Sequence, residues 1–311
     1  MTTAVRDVRP PADRLSTSVL VAIVITVLSW ASAFVVIRGV APHFGGGALA
    51  LGRLGVGTVC LALLVVGRRW ISPTPREWLL VIIFGIAWFG AYNVALNVAE
   101  QTLDAGTTAM IVGIGPILIA LGAGVFLGEG IPRWLAIGSS VAFAGVLCIG
   151  VATGLSVGFA ASGNAGGILW AILAAVSYAI GVLCQKPAIA RLPARQVTFL
   201  GCLIGMLACA PFTGELISDL ASAPVSSIVG MLYLGAVPTA LAFSTWGFAL
   251  SRMPAGQLGV TTYIVPALAI LLGFFFFREI PAPVGITGGI ICLVGVALSR
   301  RRSNPVLTET G

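Results

Sequence analysis

Residues 105–146, AGTTAMIVGIGPILIALGAGVFLGEGIPRWLAIGSSVAFAGV, read against residues 255–296, AGQLGVTTYIVPALAILLGFFFFREIPAPVGITGGIICLVGV, decide the fold. At an offset of 150 and without a gap the two stretches share 11 of 42 residues. The shared set includes Ala105-Gly106 with Ala255-Gly256, Pro116 with Pro266, Glu129 with Glu279, Gly138 with Gly288, and Gly145-Val146 with Gly295-Val296. Gly85 and Gly235 extend the register upstream, and at an offset of 148 Ser29-Trp30 meets Ser177-Tyr178 and Arg38 meets Lys186. The chain is two copies of one unit.

Each copy is built for lipid. Of 311 residues 58% are hydrophobic and 9% charged, where a soluble domain carries about a quarter charged. The 40 Gly and 17 Pro lie inside apolar stretches, as membrane helices tolerate. With roughly 20 apolar residues per crossing, spans are expected at 18–38, 47–67, 78–98, 106–127, 134–151, 167–185, 196–213, 226–250, 256–277 and 282–299. Arg53 is the one charge well inside them, Arg38 standing at the end of the first. The expected fold is therefore an all-α integral membrane protein of ten transmembrane helices. Five spans per copy is an odd number, so the second copy enters the bilayer from the opposite side: two inverted five-helix repeats, an arrangement that lets two similar halves exchange access around a midplane site. The expected division is a tail at 1–17, a first repeat at 18–153, a second at 154–300 and a tail at 301–311.

The basic residues give the orientation. With the N-terminus inside, Arg6, Arg9, Arg14, Arg68, Arg69, Arg76, Arg133, Lys186, Arg191, Arg195, Arg252, Arg300, Arg301 and Arg302 are cytoplasmic, against Arg38 and Arg278 outside. This is the positive-inside bias, and it puts both termini of a multi-pass inner-membrane protein in the cytoplasm. The net charge of +7 is spread over short connections, so no nucleic acid is expected as a partner. A cleavable leader ending near Ala31-Ser32-Ala33 is the competing reading of the start; it would delete the first span of the repeat.

The run Ser-Trp-Ala-Ser-Ala-Phe-Val-Val-Ile-Arg at 29–38, Arg53 early in the second span, and Pro116 followed by Gly128-Glu129 and Gly145-Val146 resemble the drug/metabolite transporter superfamily, and within it the EamA-type family, over nearly the whole chain. The resemblance implies a secondary transporter exporting amino acids, aromatic or neutral ones foremost, or related metabolites. The second copy departs from the pattern with Arg278-Glu279 where the first has Gly128-Glu129.

Polar and aromatic side chains at membrane depth mark the candidate route, because an unpaired polar group in hydrocarbon is costly and turns inward. On that ground Trp30, Ser32, Trp88, Tyr92, Asn93, Asn97, Trp170, Tyr178, Trp246, Thr262 and Tyr263 are candidate substrate contacts. Amides and hydroxyls would stand in for water around a zwitterion, and rings would take its side chain. Pro116 and Pro266, near the middle of the paired fourth and ninth spans, are expected to bend them. Arg53 could bind a substrate carboxylate or brace backbone carbonyls and gate one face, and it is assigned to gating or bracing. No Asp or Glu lies well inside a span, which favours export down a gradient over proton exchange. Small-residue pairs such as Gly201 and Gly205 are read as packing faces.

An embedded enzyme is disfavoured: His43 is the single histidine, and no HExxH, GxSxG or paired-aspartate motif occurs. The six cysteines, all within apolar spans, lack metal or redox spacing, so neither cofactor nor metal is expected. Partners are a small-molecule substrate and the lipid bilayer, and a monomer suffices. The rival readings are an exporter of multiple or cationic drugs and, further off, a channel or structural subunit.

Overall fold

The computed structural model describes residues 16–102, 108, 111–157, 165–277, 283–299 and 301, and all regular structure among them is helical. Helix α1 is Thr17–Val40 and α2 is Gly46–Val65. Helix α3 runs through Pro75–Phe84, a π segment Gly85–Ala91, and Tyr92–Thr102. Then come α4 (Gly115–Phe126), α5 (Arg133–Val157), α6 (Ala165–Ala188), α7 (Ala194–Ala208) and α8 (Thr213–Ser222). Helix α9 is Val225–Leu250 with a π segment at Gly235–Leu241, followed by α10 (Ala255–Thr261), α11 (Ile264–Phe277) and α12 (Pro283–Ser299).

Among the described residues, α1, α2, α3, α6 and α9 are each long and apolar enough to cross a membrane, and α7 with α8 makes a sixth if that pair, bent by 52°, counts as one. Gly115–Phe126, Arg133–Cys148 and Ile286–Ser299 are shorter apolar helices. The outer surface is apolar, with Leu63 73% and Phe126 78% exposed, as suits a hydrocarbon solvent.

Three expected spans differ in detail. The fourth begins as α4 only after a turn at Gly113-Ile114, and the ninth is broken at Thr262-Tyr263 into α10 and α11. Pro116 and Pro266 therefore sit in the first turn of a new helix rather than mid-helix, where a missing N–H costs nothing. The seventh ends at Ala208 and turns into α8. Arg278 and Glu279 lie outside the described residues.

The two π segments stand 150 residues apart, the same offset as the repeat. A π turn frees backbone groups from the regular α ladder, and local side chains take them up. Asn93 Nδ2 donates to the carbonyls of Phe89 (2.8 Å) and Trp88 (3.3 Å). Thr239 Oγ1 donates to Leu234 O at 2.8 Å, the carbonyl that Pro238 leaves without its α-helical donor.

Glycines then let backbones meet. A Cβ on Gly85 would lie 2.7 Å from Gly201 O, and one on Gly235 2.7 Å from Arg53 O. Gly205 packs on Phe89 and Gly85 O, while Gly57 packs on Thr239 and Gly235 O. Helices α2 and α7 are thus each wedged against the π segment of the other half. The α5–α12 pair runs antiparallel: Gly138 meets Gly295 O and Ser299 N, and Gly145 meets Cys292 N and Gly288 O, all within 2.6 Å of a would-be Cβ. Helix association in lipid relies on such close approach.

Candidate functional site

A cavity enclosing about 800 Å³ of atom-free space, its mouth included, lies among α1, α2, α3, α4, α6, α9, α10 and α11. Its walls take Trp30, Phe34 and Ile37 from the second half of α1, Arg53 from the first half of α2, and Trp88, Tyr92, Asn93 and Leu96 from α3. Tyr178, Phe243, Thr262, Tyr263 and Val265 face them, with Val112, Gly113, Pro116 and Pro266 at the two helix breaks. The contributions of α1, α2 and α3 place the cavity toward the end of the bundle where α1 finishes and α2 starts.

Its floor is aromatic. The Trp30 ring lies 5.1 Å from Trp246, 5.5 Å from Phe243 and 6.0 Å from Trp88, and Trp88 is 5.0 Å from Tyr178. These are spacings at which edge-to-face and tilted pairs attract. The indole N–H of Trp30 donates to Pro238 O at 3.2 Å, tying α1 to the π segment of α9.

Of the residues expected to contact substrate, Trp30, Trp88, Tyr92, Asn93, Tyr178, Thr262 and Tyr263 line the cavity, as do Arg53, Pro116 and Pro266. Four stand elsewhere. Trp170 points outward, 38% exposed. Trp246 lies beneath the floor and donates to Gln185 Oε1 at 3.2 Å. Asn97 turns toward α2 and donates to Gly46 O at 2.9 Å. Ser32 bonds Ser29 O and Tyr233 OH, both at 2.8 Å. Phe34, Ile37, Leu96 and Phe243 also line the cavity; carrying no polar atom, they are indistinguishable in the sequence from side chains that face lipid. Glu100 lies in the last turn of α3, where its Oε1 is buried without a hydrogen-bond partner among the described residues.

Polar atoms of the wall are partly committed. Both amide hydrogens of Asn93 serve carbonyls of its own helix, which leaves its Oδ1 as an acceptor. Thr262 Oγ1 donates to Gly259 O. Tyr263, 1% exposed, has a hydroxyl with no partner.

The opposite end of the bundle is tied shut. Helix α4 stops at Gly128, whose φ of +67° suits glycine. Gly130 repeats that conformation with φ +68°, and between the two Glu129 swings onto α10. Glu129 Oε1 accepts the N–H of Ala255 at 2.8 Å and Oε2 that of Gly256 at 3.2 Å, a carboxylate at a helix N-terminus. Lys186 Nζ donates to Leu250 O and Met253 O, both at 2.7 Å, at the C-terminus of α9.

The bundle thus has a cavity toward one end, polar ties at the other, and matched distortions in its two halves. The EamA-like transporter family profile matches residues 17–151 and again residues 165–301. The chain belongs to that family. It is 32% identical to a probable terminal-alkyne amino-acid exporter of Streptantibioticus cattleyicolor, over 91% of this chain and 93% of that one. It is 30% identical to an uncharacterized transporter, YdfC, of Bacillus subtilis, over 88% of each. A crystal structure at 19% identity shares the fold, with a TM-score of 0.72 over 91% of this chain and 97% of the other. As an EamA-like protein it is a multi-pass membrane transporter, and its substrate is a small molecule.

Proposed function

We propose that this chain is a secondary exporter of amino acids, neutral and aromatic ones foremost, and of related small metabolites, working by alternating access without ATP. The observation that carries the reading is the cavity, an aromatic chamber with an amide, several hydroxyls and one cation among its lining residues. Rings accept an apolar side chain and the few polar groups fix the charged end, the usual division of labour in a ligand pocket. The relative named as an amino-acid exporter supports the same substrate class.

Ten crossings in two inverted repeats, 18–153 and 154–300, form the working architecture. The twofold family match supports it. So do contacts that recur when the halves are exchanged: Gly85 on Gly201 with Gly235 on Arg53, and Gly138 on Gly295 with Gly145 on Gly288. The basic residues support cytoplasmic termini in the inner membrane. In that orientation the cavity faces outward, and Glu129 and Lys186 close the cytoplasmic end.

Counterflow of radiolabelled amino acids into proteoliposomes, with and without a pH gradient, tests the proposal. Saturable uptake indifferent to the gradient is the expected result. Strict dependence on the gradient would make the carboxyl of Glu100, whose Oε1 is buried without a partner, the first coupling group to examine, and absence of uptake across the amino-acid panel would overturn the substrate class.

A further inference from the structure

Arg53 is 4% exposed, yet it lines the cavity, and it is the one charged side chain among the described residues that do. Its Nε donates to Thr239 Oγ1 at 3.3 Å, which anchors the guanidinium against the π segment of α9. That is the single hydrogen bond the side chain makes among the described residues. Glu100, within electrostatic range, forms neither a hydrogen bond nor an ion pair with it and is not part of the wall. A buried guanidinium held by one nitrogen keeps most of its donor fork available. Close by the chemistry is one-sided: the wall is made of aromatic faces with the Asn93 amide and the Thr262 hydroxyl, and it includes no carboxylate.

We infer that Arg53 is the anion-recognition group of the cavity and that the transported solutes are carboxylates with an apolar body. The carboxylate is the recognised pole. Two parallel N–H···O bonds from the guanidinium match a planar carboxylate, and they strengthen where apolar walls lower the local dielectric. An ammonium group is accommodated by ring faces and the Asn93 amide oxygen but is not required. A solute bearing only positive charge meets Arg53 as a like charge. This assignment rests on the exporter reading and narrows its substrate class.

The test uses the full-length protein in detergent, with quenching of intrinsic tryptophan fluorescence as the binding signal, since Trp30 and Trp88 form part of the wall. The probes are L-phenylalanine, 3-phenylpropionate, L-phenylalanine amide and phenethylamine. Wild type should bind the two carboxylates at least about tenfold more tightly than the amide and the amine, a gap of about 1.4 kcal/mol. Arg53→Gln should erase that ratio, while Arg53→Lys, which keeps the charge and loses the fork, should retain part of it. Because the readout is a ratio within one preparation, a poorly folding variant does not mimic the effect. Equal binding of all four probes by wild type, or equal weakening of all four in Arg53→Gln, makes Arg53 a brace and overturns the inference while leaving the exporter intact. Binding of none of the four removes the aromatic amino-acid reading, and the inference with it.

Discussion

Asn93 and Phe243 stand 150 residues apart, each two positions beyond the end of a π segment, and both side chains line the same cavity. One half supplies an amide there and the other a ring. Phe243 also packs 4.8 Å from Trp88 and 4.3 Å from Phe89. Replacing Phe243 with alanine removes wall and floor together, so counterflow activity should fall about tenfold or more, the equivalent of about 1.4 kcal/mol. Trp170→Ala, on the outer surface, should leave the rate within about twofold.

The two asparagines of α3 should separate under mutation. Asn97 does not line the cavity and spends its amide on Gly46 O. Asn97→Ala should lower the thermal unfolding midpoint in detergent, through loss of a buried bond worth about 0.5–1.5 kcal/mol, with the KM for transport unchanged. Asn93→Ala should raise KM. A shift in KM for Asn97→Ala would return that residue to the route.

The clasp at the closed end should be separable from the cavity. Glu129→Ala removes the acceptor of two backbone N–H groups, and Lys186→Ala the donor to two carbonyls. Each hydrogen bond to a charged group is worth about 1.5–3 kcal/mol. Both variants should favour the form open at that end, seen as faster modification of a cysteine placed in the floor by a reagent supplied from the cytoplasmic side.

Packing through glycine gives the sharpest stability contrast. A side chain at Gly145 would meet Cys292 N and Gly288 O at 2.6 Å, backbone atoms with no room to yield, whereas Gly55 has nothing within 4 Å. Gly145→Val should cost about 1–3 kcal/mol or more through overpacking and reduce the monodisperse fraction on size exclusion. Gly55→Ala should be neutral or mildly stabilising, because glycine is the poorer helix former.

Much of this was legible in the residues. Apolar runs bounded by arginines marked α1, α2, α3, α6 and α9 to within a few positions, because lipid thickness sets their length. The offset of 150 that aligns Pro116 with Pro266 also aligns the two π segments. Local geometry was not legible. A wheel of 3.6 residues per turn puts Trp88 and Tyr92 on one face and Asn93 and Asn97 on the next; the wide turn at Gly85–Ala91 brings Asn93 to the Trp88 carbonyl, five residues back, while Asn97, one regular turn further on, meets the Gly46 carbonyl of α2 instead of the cavity. Composition gives no warning of such a turn. Phe243 had a usable signal, its register with Asn93, but a phenylalanine in an apolar span looks the same whether it faces lipid or a cavity. Trp170 shared a helix with Ser177 and Tyr178, but a tryptophan at membrane depth also serves the lipid boundary.

The π segments also carry a record of descent. Each amounts to one extra residue in a helix, and the two copies hold it at the same register although Trp88 in one corresponds to Pro238 in the other. A single origin before the copies separated accounts for both.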